Sequence, residues 1–246
     1  MGAINKKMVI DANTLVGAMW PLERRDVSLE KLKREMDKFG VTKAVTLSAK
    51  GIFYDHTLGN DETLKVCLED PRFIPALTID PRKYLGYAEE IKKRIGEGFK
   101  ILRLFPDFQG FMINSIHVRR IITKAEELGL PVMMPVKAGI TNVLELLREL
   151  RGLRVILTGV TYFDLAEILT AMEESDNLFI ETRLLDSPDG VSMVVEEFGA
   201  SRLIFGSGAP LGYVGSSLNL IKHAQISEAE KRMVLAESVK KIIEGR

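Results

Sequence analysis

Three cations stand where this chain could use them. Arg103, Lys137 and Arg183 each close or follow a short apolar run. Such groups, gathered in one place, hold a carboxylate or phosphate and polarise a carbonyl. Asp11, inside the first apolar run, is the candidate base that would work beside them. Asn13, Thr158, Glu181, Ser207 and Gly208 lie at or just past the ends of other runs and are the candidate ligand contacts. His56, beside Tyr54 and Asp55, adds an acid or base if the loop carrying it folds over the site. Each residue has a plainer role open to it. Asp11 serves equally as a structural carboxylate bonded to backbone or to an arginine. Arg103 and Arg183 serve equally as internal partners of Asp11, Glu181 or Asp186, because a buried unpaired charge is costly. His56 serves equally as a solvated loop histidine.

Other chemistries find less support. Residues 206–212 (GSGAPLG) are glycine-rich and precede a helix, so they read either as a backbone anion cradle or as a simple strand end. Ser207 sits between glycines, but no histidine falls at a partner position, which argues against a serine nucleophile. No P-loop or zinc-knuckle spacing occurs. Met133 and Met134 read as core filling. Residues 105–111 (FPDFQGF), Trp20 and Phe53 read as an apolar lid or rim for a ligand, or as loop packing.

The elements that must position these groups alternate along the chain. Apolar runs occupy residues 8–12, 43–48, 73–79, 99–105, 131–136, 153–157, 177–182 and 202–205. Helical patterns fall between them at 28–39, 61–69, 84–96, 115–128, 142–150, 163–174 and 188–198, with a helical tail at 218–244 and a loop expected over 49–60. Ser28 and Gly40 bracket the first helix, and Ser227 with Glu230 suits a capping box. The runs are near-continuously apolar, as in a parallel sheet covered on both faces. A repeat of eight such units predicts an α/β fold, a single-domain (β/α)8 TIM barrel over residues 1–246 with extra C-terminal helices. A doubly wound open sheet would want a glycine-rich turn after the first strand, which is missing. In a barrel, binding groups gather at the C-terminal ends of the strands.

Composition narrows the partners. Lys plus Arg and Asp plus Glu both total 34, so no global field favours nucleic acid or an acidic membrane surface. No apolar stretch is long enough to span a bilayer, and the start lacks the apolar core of a signal peptide. The lone cysteine, Cys67, forbids an internal disulfide and points to a reducing, cytoplasmic setting, where it reads as a small buried hydrophobe. Plentiful Lys, Arg and Glu with only two glutamines lean towards a thermophile.

Several segments together resemble the amidohydrolase-related family of metal-dependent hydrolases, which includes decarboxylases and lactonases. Residues 9–17 (VIDANTLVG) resemble its opening strand, usually Ile-Asp-x-His-x-His-x-Gly, and 39–45 (FGVTKAV) its second strand. Residues 70–81 (DPRFIPALTIDP) resemble its third, 98–106 (GFKILRLFP) its fourth and 129–132 (GLPV) the entry to its fifth. Residues 202–210 (RLIFGSGAP) resemble its eighth, usually Arg-x-x-Phe-Gly-Ser-Asp-x-Pro. The resemblance implies a metal held by the two histidines of strand one, a histidine ending strand five, another ending strand six, and the aspartate ending strand eight. The matching positions read Asn13, Leu15, Pro135, Thr158 and Gly208. The chain's three histidines are His56, in the expected loop, and His117 and His223, in helices. The expectation is therefore a member without the family's metal or any other cofactor. It would bind a small anionic molecule or serve as a non-catalytic subunit, as a homo-oligomer or paired with a metal-bearing paralogue. The alternative is metal-independent hydrolysis, lactonase-like, or decarboxylation of a small carboxylated substrate.

Overall fold

A computed structural model describes residues 8–17, 25–83, 85–187 and 189–245. Trp20, and the expected helix starts at positions 84 and 188, lie outside them. In chain order the first half reads β1 (Ile10–Val16), α1 (Leu29–Phe39), β2 (Lys43–Ser48), α2 (Ala49–Phe53), α3 (His56–Glu69), β3 (Phe73–Thr78), α4 (Tyr87–Gly96), β4 (Ile101–Arg103), α5 (Pro106–Gln109) and α6 (Ile116–Glu127). The second half reads β5 (Val132–Pro135), α7 (Ile140–Glu149), β6 (Val155–Thr158), α8 (Leu165–Glu174), β7 (Leu178–Glu181), α9 (Gly190–Phe198), β8 (Leu203–Ile204), α10 (Val214–His223), α11 (Glu228–Arg232) and α12 (Ser238–Glu244).

The strands pair in parallel and in sequence order from β1 to β8. The cylinder closes where Ala12 N–H donates to Phe205 O and Leu15 N–H to Ala209 O, both at 2.9 Å. This is the expected TIM barrel. Apolar residues divide by strand parity into two layers. Ile101, Met133, Ile156 and Ile204 fill the interior, and Leu102, Val132, Met134 and Leu203 face the helices. Met133 and Met134 are thus core filling, one in each layer. The tail supplies Ala236, Val239 and Ile242 to the interior cluster, so the π-helical turn Met233–Glu237 and α12 plug the N-terminal end. Ser28 caps α1 by accepting from Lys31 N–H, Gly40 ends it at φ 71°, and the Ser227–Glu230 capping box forms.

Two local features depart from expectation. Residues 49–60 are not a loop: α2 follows β2 directly, and α3 begins at His56, where Asp55 accepts a hydrogen bond from Leu58 N–H. His56 is consequently a buried residue in the first turn of a helix. The second feature is a bulge in β1. Asp11 pairs with Ala44 and Thr14 with Thr46, so Ala12 and Asn13 oppose Val45 alone. Ile10 and Ala12 before the bulge, and Leu15 after it, all join the interior. The simple alternation that would set Asp11 beside Asn13 therefore fails here.

Helices α2 and α3 cross closely. A Cβ on Gly59 would fall 2.1 Å from Gly51 N and 2.2 Å from Gly51 Cα. Neither backbone can yield without separating the helices, so Gly59→Ala is expected to cost about 3 kcal/mol, the upper end for overpacking. Urea denaturation checks this; a midpoint equal to that of the unaltered protein contradicts it.

Candidate functional site

The strand ends converge on a buried polar cluster. Arg103 closes β4, Glu181 closes β7, and the bulge turns Asn13 of β1 towards both. The Asn13 amide bridges the two: its Oδ1 accepts from Arg103 Nη2 at 2.6 Å, and its Nδ2 donates to Glu181 Oε2 at 3.1 Å. Arg103 Nη1 donates to Thr14 O at 2.8 Å, and the guanidinium lies 5.3 Å from the Phe105 ring centroid. Asp11 faces the exit of β8. It accepts from Ser207 N–H at 3.0 Å, from the Ser207 hydroxyl, and from Asn13 N–H at 3.0 Å. That last bond takes the Asn13 donor out of the sheet ladder, which is why β1 bulges at this point.

Burial sets the electrostatics. Asp11 is pushed up to about 6 by desolvation, against the pull of the Ser207 and Asn13 hydrogen bonds and of Arg103. Glu181 is pushed up to about 7 by desolvation, against its hydrogen bonds from Arg183 N–H and Asn13. Arg103 is lowered to about 10 by the same burial, with Glu181 and Asp11 opposing the drop. One cation thus sits among two acids whose pKa values burial has raised towards 7. The expected ion pairing of Arg103 and Arg183 with Asp11, Glu181 or Asp186 is not found among the described residues: Arg103 reaches Glu181 only through the Asn13 amide and bonds no carboxylate directly, because Asp11 is taken up by Ser207 and Asn13 N–H.

Above the cluster opens a cleft of about 450 Å³. Leu15, Ile52, Phe53, Phe105 and Phe108 give it an apolar wall, with the Phe53 and Phe108 rings edge to face at 5.2 Å. Arg25, Arg103, Lys137 and Arg183 supply cations, and Asp107 is the acid in the lining. Thr158, Pro135 and Gly208 also line it. Among the described residues, the side chains of Arg25, Lys137 and Arg183 make no hydrogen bond or ion pair. They remain available to a ligand. A larger groove, about 790 Å³, lies around α12 at the other end, but its arginines are spent. Arg154 donates to the carbonyls of Ile242 and Gly129, and Arg202 to those of Leu178, Met172 and Ser175.

The structure brings Asn13, Arg103, Lys137, Thr158, Arg183 and Gly208 together at the cleft and sets Asp11, Glu181 and Ser207 beneath it. Ser207 is occupied by Asp11 rather than offered to a ligand. His56 is a correction. It lines a different groove, with Lys83 and Glu90, and its Nδ1 has no hydrogen-bond partner among the described residues. The helix that Asp55 caps carries it away from the mouth. Burial lowers its pKa. Arg25 and Asp107 were missed: Arg25 lies outside the eight runs read as strands, and Asp107 reads as an ordinary loop acid. Residues 105–111, read as a loop, contain α5, which delivers Phe108 to the wall.

The donors at the five positions implied by the resemblance are weak ones. Leu15, Pro135 and Gly208 carry no side-chain ligand atom, Thr158 offers a neutral hydroxyl, and both ends of the Asn13 amide are engaged. The acids nearest by, Asp11 and Glu181, share their space with the Arg103 guanidinium.

An amidohydrolase family model matches residues 11–238. No curated protein matches the sequence. Solved structures share the fold at low identity. A 5-carboxyvanillate decarboxylase from Sphingomonas paucimobilis is 17% identical with a TM-score of 0.78, covering 97% of this chain and 99% of that one. A 2,6-dihydroxybenzoate decarboxylase from Rhizobium is 13% identical with a TM-score of 0.79, covering 97% and 99%. A 5-carboxyvanillate decarboxylase from Novosphingobium aromaticivorans, complexed with manganese and a nitrobenzoic acid, is 16% identical with a TM-score of 0.77, covering 99% and 97%.

Proposed function

The chain belongs to the amidohydrolase family, and from that premise we propose that its barrel mouth binds a small carboxylate on organic cations, without a resident divalent metal. The observation that carries this reading is the Arg103 guanidinium, buried among Asp11, Asn13 and Glu181 at the floor of the cleft. Its positive charge already offsets the acids there. A dication added beside it would meet like charge and a donor set that does not suit it. Around the rim, Lys137 and Arg183 lack partners among the described residues, so an incoming carboxylate gains charge-assisted hydrogen bonds without breaking existing ones. The wall of Phe53, Phe105 and Phe108 suits an apolar or aromatic body on that carboxylate. The benzoate-type compounds named with the structural relatives have this shape.

Titration with benzoate and with neutral benzamide tests the reading. Benzoate is expected to bind and benzamide not. Arg183→Ala should weaken benzoate by about tenfold, the worth of a charged hydrogen bond. Protein dialysed against zinc or manganese should retain no stoichiometric ion, and a chelator should leave benzoate affinity unchanged. A tightly held ion at the mouth defeats the metal-free part. Equal affinity for the two ligands defeats the carboxylate part.

A second reading has its own support. Burial raises Asp11 to about 6 and Glu181 to about 7, near enough to neutral pH for either carboxyl to take up and release a proton. Metal-independent hydrolysis or decarboxylation would then follow binding, with Arg103 and Lys137 polarising the substrate carbonyl. Turnover of a lactone or carboxylated aromatic that survives unchanged in Lys137→Ala and Arg103→Ala excludes those roles.

A further inference from the structure

Two glycines, two residues apart, follow β8, and each makes room for a side chain at the end of β7. A Cβ on Gly206 would fall 2.3 Å from Oε1 of Glu181, and a Cβ on Gly208 would fall 2.4 Å from Nη1 and 2.7 Å from Cδ of Arg183. Atoms do not pack at such distances. The Arg183 side chain therefore lies in the volume that any side chain at position 208 would claim.

Which partner would yield is decided by what holds each. The Gly208 backbone is pinned: its N–H donates to Asn13 O at 2.8 Å, and its carbonyl accepts from Leu211 N at 3.1 Å and Gly212 N at 2.8 Å. Next to it, Ser207 is anchored on Asp11 and accepts from Ala209 N–H at 3.0 Å. The exposed Arg183 side chain, by contrast, has no hydrogen bond or ion pair among the described residues and turns about four single bonds. An added Cβ moves the arginine, not the loop.

We propose that Gly208 is a specificity-determining position of the mouth: by carrying no side chain, it seats Arg183 across the exit of β8 and so gives the cleft its ligand-facing cation there. The inference rests on the carboxylate reading above. It makes the anion preference of the mouth a property of a glycine–arginine pair, with the charge delivered from β7 into space left by β8.

The test is a double-mutant cycle on benzoate affinity, with the Arg183 Nε–H resonance as a second readout. Gly208 sits at φ 69°, where asparagine is the side chain most easily accommodated. Gly208→Asn is therefore the first variant, and Gly208→Ala is the second should the first fold poorly. Gly208→Asn should weaken benzoate by about tenfold, as Arg183→Ala does. The double variant should bind no worse than Arg183→Ala alone, and the Arg183 Nε–H signal should shift in Gly208→Asn. A merely structural glycine would give losses that add in full and leave that signal in place; either result overturns the role of Gly208 while benzoate binding by the unaltered protein stands. Failure of the unaltered protein to bind benzoate at all overturns the carboxylate reading and this role with it.

Discussion

Arg103→Met is expected to destabilise the protein by about 3–5 kcal/mol at pH 8, the cost of removing one partner from a buried charge cluster. The methionine fills much of the same volume, so the loss is electrostatic rather than a cavity effect. Without the guanidinium, Asn13 Oδ1 and the Thr14 carbonyl lose their donor, and Asp11 and Glu181 lose the charge that offsets theirs. For a chain of this size the melting temperature should fall by roughly 10 °C. The loss should shrink towards pH 5, where both acids carry protons and need no counter-charge. Arg183→Met is the matched control. Its side chain is exposed and unbonded among the described residues, so its stability should change by no more than about 0.5 kcal/mol. Thermal melts of the two variants at pH 5 and pH 8 decide the matter. Equal stability of Arg103→Met and the unaltered protein at pH 8 would show that Arg103 does not compensate the buried acids.

The unaltered protein should itself lose stability as pH rises from 5 to 8, the reverse of what paired surface carboxylates produce. Asp11 titrates near 6 in the fold against 3.8 when solvated, and Glu181 near 7 against 4.5. Both folded-state values are raised, so between these limits the native state holds more protons than the unfolded one. Unfolding then releases protons, and raising the pH favours it. At 1.36 kcal/mol per pH unit, the part of the effect that falls between pH 5 and pH 8 is about 1 kcal/mol for Asp11, whose unfolded form is already ionised at pH 5, and about 2 kcal/mol for Glu181. The groups facing them are Ser207, Asn13, Arg103 and Arg183, and Arg103, lowered only to about 10, stays cationic throughout this window. His56 works in the opposite sense. Its lowered pKa means that the unfolded chain takes up its proton first below about 6.5. It opposes the trend at the acid end of the window. Asp26, Asp55, Asp70 and Asp80 have lowered values, so their contribution is lost only in stronger acid. Urea denaturation at four pH values measures the slope, and Asp11→Asn should remove about a third of it. Stability that is flat or rising from pH 5 to pH 8 would contradict the burial of charged acids at the strand ends.

Much of the frame was legible because its signals are local. The apolar runs and their helical partners depend on neighbours two to four residues away, and each helix cap on a residue three away. Eight repeats of that pattern leave few architectures besides a closed barrel, and in a barrel the ends of the strands name the candidate site. Arg103, Lys137, Thr158, Arg183 and Gly208 were all found by this route and do line one cleft.

The misses are local patterns that carry no periodic signal. The buried face of α3 is His56, Gly59, Asn60 and Thr63, with no large apolar residue among them, so its first turn reads as loop and His56 was sent to the wrong place. The bulge in β1 could not be read either, since it arises from one carboxylate accepting its own strand's N–H.

Taken alone, the sequence determined the barrel, the strand ends and which residues there carry charge, because alternation and capping are written within a few residues of each position. Only the tertiary structure decided how those residues divide their bonds. Asn13 meets Arg103 across 90 positions and Glu181 across 168, and Asp11 meets Ser207 across 196. Pairings at such separations leave no trace in local pattern, since they exist only once the first strand and the last lie side by side.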